Sequence, residues 1–313
     1  AEIRVEPLET DEILDMIVTL YKGESTSRVR ISNYHTNIVL IEKNGQVVYE
    51  RGVMAAKEAQ MADRSLLNVE DIYDFAKTAD LEDVKDIIGR QIAYNSAISE
   101  EGLKNNWGAN VGSVLLKAYG DDVQVRARAA AAAGSDARMS GCEMPVIINS
   151  GSGNQGMTAS LPVIEYAKEL GSSEEELYRA LLLSNLLTIH QKTGIGRLSA
   201  YCGAVSAGCG AGCGIAFLQG ADLKAIAHTL VNALAIVSGI ICDGAKPSCA
   251  GKIAAAVDAG ILGYQMYVNG QQFRGGDGII SKGVENTIHN VGRLGKDGMK
   301  ETDKEIIRIM TDC

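Results

Sequence analysis

A chain of 313 residues is long enough for a large core, as one large domain or two moderate ones. Its net charge of −9, from 30 Lys and Arg against 39 Asp and Glu, and its lack of any basic block argue against a nucleic-acid partner. Aromatic residues are only 5% of the chain while glycine, at 35 residues, is abundant, which suits closely packed helices. No Arg-rich or apolar leader opens the sequence, so nothing points to secretion. Seven cysteines, an odd number and mostly clustered, fit a metal-linked protein of the cytoplasm better than a disulfide framework.

In chain order, Ile3-Arg4-Val5-Glu6 reads as a strand. Thr10-Asp11-Glu12 opens an amphipathic helix with Ile13, Met16, Ile17 and Leu20 on one face, stopped at Gly23. Residues 28–32 and 37–42 read as strands, and Asn44-Gly45 is a type I′ hairpin signal leading into 47–49. Residues 1–55 thus form a small α+β unit that is incomplete as a layer, since so few short strands and one helix rarely stand alone. From about Ala56 the pattern becomes helical, at 69–79 behind Asn68, 81–98, 123–133, 174–188 behind Ser172-Ser173, 223–241, 253–268 and 301–310. Without a second strand-rich region or a Ser/Pro linker, 56–313 is expected as one all-α domain, and the fold class as α+β.

Residues 198–221 carry no charge, and 225–242 carry only His228 as a titratable group, so both reach the length of a membrane span. The first is mostly Gly, Ala, Ser and Cys, and the second holds His228 and Asn232 at helical spacing. Buried helices of an all-α core explain both, and no membrane partner is expected.

Five cysteines, Cys202, Cys209, Cys213, Cys242 and Cys249, fall within 48 residues of small and apolar character. The loop between Cys242 and Cys249 contains Gly244 and Pro247, so it can curl two thiols toward one point. Thiolates among such small side chains suit soft iron rather than a hard cation. Buried cysteine also packs as an ordinary small hydrophobe, and the short C-x2-C pairs of zinc sites are absent. Asn149-Ser150-Gly151-Ser152-Gly153-Asn154-Gln155-Gly156 offers backbone N–H groups and short polar side chains, either as an ordinary turn or as a nest for a carboxylate. Lys192, Arg197 and Ser199 precede Cys202, and Asp243 and Lys246 lie in the second cysteine loop. Such cations can hold an anion or lower a thiol pKa, or be solvated surface charges. His35, His190, His228 and His289 form no hydrolase or metalloprotease pattern.

Taken together, I-C-D-G-A-K-P-S-C, A-Y-C-G-A-V and N-S-G-S-G-N-Q-G, with H-T-N-I-V near the start and G-R-L-S-A before Cys202, resemble the L-cysteine desulfidase family. That family is related to the α-chain of the iron–sulfur, non-PLP L-serine dehydratases. The resemblance spans nearly the whole chain. It implies an oxygen-sensitive [4Fe–4S] cluster on three cysteines, here Cys202, Cys242 and Cys249, with one iron open to a small amino-acid substrate. Cys202 is preferred to Cys209 and Cys213 for its A-x-C-G-A setting and for a step to Cys242 similar to the family's. The implied reaction is β-elimination, of L-cysteine to pyruvate, ammonia and sulfide or of L-serine to pyruvate and ammonia. Ser150, Gly151, Ser152, Asn154 and Gln155 are expected to hold the substrate carboxylate with Lys192 or Arg197 assisting. Lys192 and Lys246 are the candidates for proton transfer.

The alternative is a non-enzymatic relative that binds a metal or an amino acid. The terminal Cys313 is either a frayed tail or a thiol folded back onto the open iron. The family's G-C-T-E-P motif does not occur here, so a further N-terminal section is expected. The chain is expected to associate with that section or as a homo-oligomer.

Overall fold

The computed structural model describes residues 2–10, 12, 14–34, 36–52, 62–196 and 198–311. The chain divides into two compact units, Ala1–Arg64 with Thr302–Cys313, and Ser65–Glu301. The overall class is α+β, a small antiparallel sheet followed by helices.

In the first unit, β1 (Asp15–Lys22), β2 (Ser25–Ser32), β3 (Ile38–Lys43) and β4 (Gln46–Glu50) form a four-stranded antiparallel meander in sequence order. Asn44 and Gly45 both take positive φ, 50° and 77°, and make the tight β3–β4 turn that this pair of residues favours. The helix expected from Thr10 to Gly23 is instead β1, paired with β2 from Asp15↔Ser32 to Lys22↔Ser25. Residues 16, 17 and 20 share a face only at the helical period; in the strand Met16 and Leu20 lie on one face and Ile17 on the other. The β-branched run Ile17-Val18-Thr19 and the turn at Gly23 favour the ladder, and exposure then alternates along residues 15–20. Ile3–Glu6 is not a strand either; residues 2–10 have no regular structure, and Ile3 and Val5 are exposed.

The second unit contains α1 (Val69–Thr78), α2 (Lys85–Lys104), α3 (Val111–Tyr119), α4 (Val123–Met139), α5 (Gly153–Leu170), α6 (Glu174–Ile195), α7 (Gly203–Leu218), α8 (Leu223–Val237), α9 (Cys249–Val268) and α10 (Val284–Arg293). The last helix, α11 (Lys300–Thr311), begins here and runs into the first unit. Caps written in the sequence set several boundaries. Asn68 accepts the Asp71 N–H, and Ser173 and Glu176 form a reciprocal capping box.

The buried centre is α7, packed against α5, α6, α8 and α9. Its glycines make this possible by letting neighbouring backbones approach on two sides. Gly208 and Gly212 abut the Ala256 and Gly260 backbone on α9, while Gly210 and Gly214 abut Ser184 and Ala180 on α6. A methyl group at any of the four would collide with a backbone carbonyl or its neighbours. Among the described residues no helix is long and apolar enough to cross a membrane.

Helix α2 runs from Lys85 to Lys104 rather than over 81–98, and α9 begins at Cys249 rather than at 253; three further departures place side chains that matter for the site. Helix α4 runs on to Met139 and carries Asp136 and Arg138; α6 runs on to Ile195 and carries Lys192. Helix α8 stops at Val237, and the chain then turns, the Ile240 N–H donating to Val237 O, so that Ile241 bridges Tyr201.

Candidate active site

That bridge joins the two cysteine segments. The Cys202 N–H donates to Ile240 O (3.2 Å) and the Cys242 N–H to Ala200 O (2.7 Å), locking the start of α7 beside the residues that follow α8. Cys202 is the N-cap of α7 and Cys249 the first residue of α9. The loop between Cys242 and Cys249 folds around one peptide, whose glycine at 244 has φ 92°. The Gly244 N–H donates to the Cys242 sulfur, and Cys249 Sγ donates to Gly244 O at 3.5 Å. Only a residue tolerant of positive φ allows both ends of the loop to turn inward.

The Cys202 and Cys242 sulfurs are hydrogen-bonded to each other, and Cys202 is close enough to Cys249 to feel its charge. One proton serves two sulfurs, so their acidities diverge. Cys242 is pushed down by the hydrogen bond from Cys202, by the Gly244 N–H and by the Lys252 charge. Cys202 is pushed up by donating that hydrogen bond and by burial. Cys242 is therefore the more acidic thiol of the pair.

Cations surround this group. Lys192, only 6% exposed, lies within electrostatic reach of Cys242 and Cys202, and burial lowers its pKa. Lys252, one turn into α9 from Cys249, forms an ion pair with Asp243. Arg138, at the end of α4, senses the Cys249 charge and donates from Nη1 to Asn154 Oδ1 at 3.3 Å. Gln155 packs flat on Gly203, where an added Cβ would sit 2.5 Å from its amide carbon. Gln155 is 7% exposed and its Oε1 has no hydrogen-bond partner.

The structure thus groups Cys202, Cys242, Cys249, Lys192, Asn154 and Gln155. The rest of the glycine-rich loop is occupied with itself. Ser150 Oγ donates to Asn149 Oδ1, Ser152 bridges Asn149, and Gly151 is exposed at the tip. Lys246 is exposed, and its charge bears on Asp243. Ser199 is used structurally, donating to Gly295 O (2.5 Å) and accepting from the Tyr201 N–H (2.9 Å). Arg197, His35 and Cys313 lie outside the described residues. Cys209 and Cys213 are wholly buried along α7, where burial raises both thiols.

Sequence reasoning missed Arg138 and Lys252. The signal for Lys252 was present in C-A-G-K, three residues after Cys249 on a helix. For Arg138 no local signal existed, because its role depends on where α4 ends relative to α5.

Among the described residues, no group of three His, Cys, Asp or Glu could share a single metal ion. The three thiols therefore do not outline a mononuclear centre. An iron–sulfur cluster makes a different demand, since each cysteine binds its own iron. The donor chemistry fits one: three thiols from two segments, Asp243 already tied to Lys252, and cations to offset thiolate charge. A cavity of about 770 Å³ opens elsewhere, lined by Asn68, Asp71, Asp222, Lys224 and Glu285, and none of the site residues named above lines it.

The UPF0597 protein of Desulfitobacterium hafniense is 65% identical over 309 residues, covering 99% of this chain and 72% of the relative. That of Lachnoclostridium phytofermentans is 54% identical, covering 97% and 72%, and that of Finegoldia magna 47% identical, covering 99% and 74%. The model of the serine dehydratase alpha chain matches residues 22–308, which include every described residue of the cysteine group, and the chain belongs to that family.

Proposed function

We propose that the protein is an iron–sulfur-dependent lyase that eliminates the β-substituent of L-cysteine or L-serine. The observation that carries this reading is the grouping of Cys202, Cys242 and Cys249 beside a buried lysine, Lys192. Membership of the serine dehydratase alpha-chain family supports a lyase acting on a small amino acid. Cys202, Cys242 and Cys249 would hold the [4Fe–4S] cluster, which when bound supplies a Lewis-acidic iron for the departing thiol or hydroxyl.

The protein's own groups account for the remainder. Lys192 is buried, and burial favours its neutral amine, so its Nζ can take the α-proton. As the α-proton goes to Lys192, the C–H electron pair forms the α,β double bond and the β-substituent leaves with its own pair. The aminoacrylate released hydrolyses to pyruvate and ammonia. The first turn of α5 presents backbone N–H groups and Asn154 toward the substrate end of the site, where the partial positive charge of a helix N-terminus favours an anion. The extensive small-residue packing of α7 keeps water from the buried side.

The test is anaerobic reconstitution with iron and sulfide, followed by assay of pyruvate and sulfide from each amino acid. The expected protein is brown, absorbs broadly at roughly 400 nm as biological iron–sulfur centres do, and releases pyruvate from at least one substrate. A protein carrying a full cluster and releasing pyruvate from neither would contradict the lyase reading and favour a binding protein of the same fold.

A further inference from the structure

Arg138 is a half-buried guanidinium whose contacts among the described residues include no carboxylate. Three other arginines that are partly buried in the same unit are paired: Arg126 with Glu165 and Glu169, Arg128 with Asp258, Arg179 with Glu175; Arg90, Arg274 and Arg293, which have no ion pair among the described residues, are exposed to solvent. Arg138 instead donates to the neutral amide of Asn154 and lies near the Cys249 sulfur. Burial works against its charge, so keeping a cation here carries a cost that no carboxylate among the described residues offsets and that only the nearby Cys249 sulfur, when ionised, relieves. Room has been made for it: an added Cβ on Gly153 would lie 2.5 Å from Arg138 Nε and 3.0 Å from its Cζ. Any larger residue at the start of α5 would displace the guanidinium.

The adjoining residues complete a pattern of opposite polarity. Asn154 receives one guanidinium N–H and so orients the fork, leaving other N–H groups without a partner among the described residues. Gln155, next in the chain and more than nine-tenths buried, aligns an unpartnered Oε1 beside Gly203. A cationic fork and a bare acceptor flanking one thiol group suit a zwitterion. A carboxylate binds the guanidinium in bidentate fashion, and an ammonium supplies the N–H that Gln155 lacks.

We propose that Arg138 is the receptor for the α-carboxylate of an amino acid bound at this site, with Gln155 Oε1 accepting from its α-ammonium. The proposal names the carboxylate anchor of the lyase reading above and rests on the same site. It assigns that anchor to α4 rather than to the glycine-rich loop alone. Gln155 would serve while the amino acid binds, and its contact also sets which face of the α-carbon turns toward Lys192.

The test uses the full-length protein, prepared anaerobically, and isothermal titration with three probes that cannot undergo elimination: L-alanine, propionate and ethylamine. Wild type should bind L-alanine more tightly than either fragment. Arg138→Gln should weaken L-alanine and propionate by roughly 10- to 100-fold, the effect of losing a hydrogen bond to a charged group, and leave ethylamine unchanged. Arg138→Lys should recover part of the loss. Unchanged ethylamine binding shows that the site is still folded. Equal L-alanine affinity in wild type and Arg138→Gln, or an equal loss for ethylamine, would overturn the proposal. L-alanine binding that depends on Arg138, in a protein that releases no pyruvate, would sustain this inference while removing the lyase reading.

Discussion

Gly212 on α7 and Gly260 on α9 meet backbone to backbone, with no room for a side chain between them. The contact fixes how near α9 comes to α7, and so how near Cys249, at the head of α9, comes to Cys202, at the head of α7. Gly212→Ala should therefore destabilise the protein by about 1–3 kcal/mol, the usual cost of overpacking a close-packed core. Gly251→Ala, on the open face of α9 with nothing within 4 Å of the added Cβ, should be neutral or stabilise by about 0.4–1 kcal/mol. Thermal unfolding of both variants checks the contrast. Equal melting temperatures would mean that the helix pair yields more easily than its packing implies.

Lys192 should be needed for turnover and dispensable for the metal. Lys192→Met keeps the length and apolar stem of the side chain while removing its amine. It should lower pyruvate release by roughly 100- to 10,000-fold, the range for a lost proton-transfer group, with iron content as in wild type. If Lys192→Met turned over at the wild-type rate, the base would have to be another group. If it lost its iron instead, the lysine would be supporting thiolate charge rather than moving a proton.

Much of this arrangement can be read from local residue chemistry. Asn68, Ser173 with Glu176, and Asn44-Gly45 act within a few residues of themselves, so their caps and turn stand where the sequence places them. Met16, Ile17 and Leu20 mislead because apolar residues at this spacing share a helix face, whereas β2, joined to β1 by a tight turn, draws the segment into a ladder that puts Ile17 on the opposite face from Met16 and Leu20. Helices α3 and α10 went unnoticed for a related reason. Helix α3 starts at Asn110 in a left-handed conformation, with the buried carboxylate of Asp136 on α4 accepting the Gly112 N–H. Helix α10 presents a polar sequence, V-E-N-T-I-H-N-V-G-R, in which only Thr287, Ile288, Val291 and Gly292 are buried. The cysteine group was visible as motifs, whereas Arg138 became visible only once α4 and α5 were set side by side.

In the first unit, Arg30 donates to Asp15 from Nε (2.9 Å) and Nη2 (2.6 Å) across β1 and β2. That hydrogen-bonded guanidinium holds the Asp15 carboxyl below its ordinary value of 3.8. A depressed folded pKa means that the stabilisation is complete above the ordinary value and is lost as pH falls through the lowered one. Asp15→Asn should cost about 1 kcal/mol at neutral pH, allowing for the solvent that reaches Arg30, and almost nothing well below pH 3.8. Urea unfolding of both proteins at the two pH values checks this. A penalty that does not change with pH would mean that the pair acts through shape rather than charge.

Thiol reactivity should follow position along the helices. Cys242 and Cys249 lie at the surface end of the site and are partly exposed, Cys202 is nearly covered, and Cys209 and Cys213 are enclosed in α7. Iodoacetamide applied to the native metal-free protein should label Cys242 first, because a thiolate is the nucleophile and Cys242 holds the lowered pKa of the pair. Cys209 and Cys213 should label only after unfolding, which peptide mass spectrometry can follow. Early labelling at Cys209 would show that α7 is not packed as described.

The central claim, that Cys202, Cys242 and Cys249 together hold the iron, is tested most directly by iron content after anaerobic reconstitution of single alanine variants. Cys202→Ala, Cys242→Ala and Cys249→Ala should each lose the bound iron and the brown colour, with helical circular dichroism unchanged. Cys142→Ala, altered in the segment after α4, should retain both. Equal iron in all four variants would contradict the account.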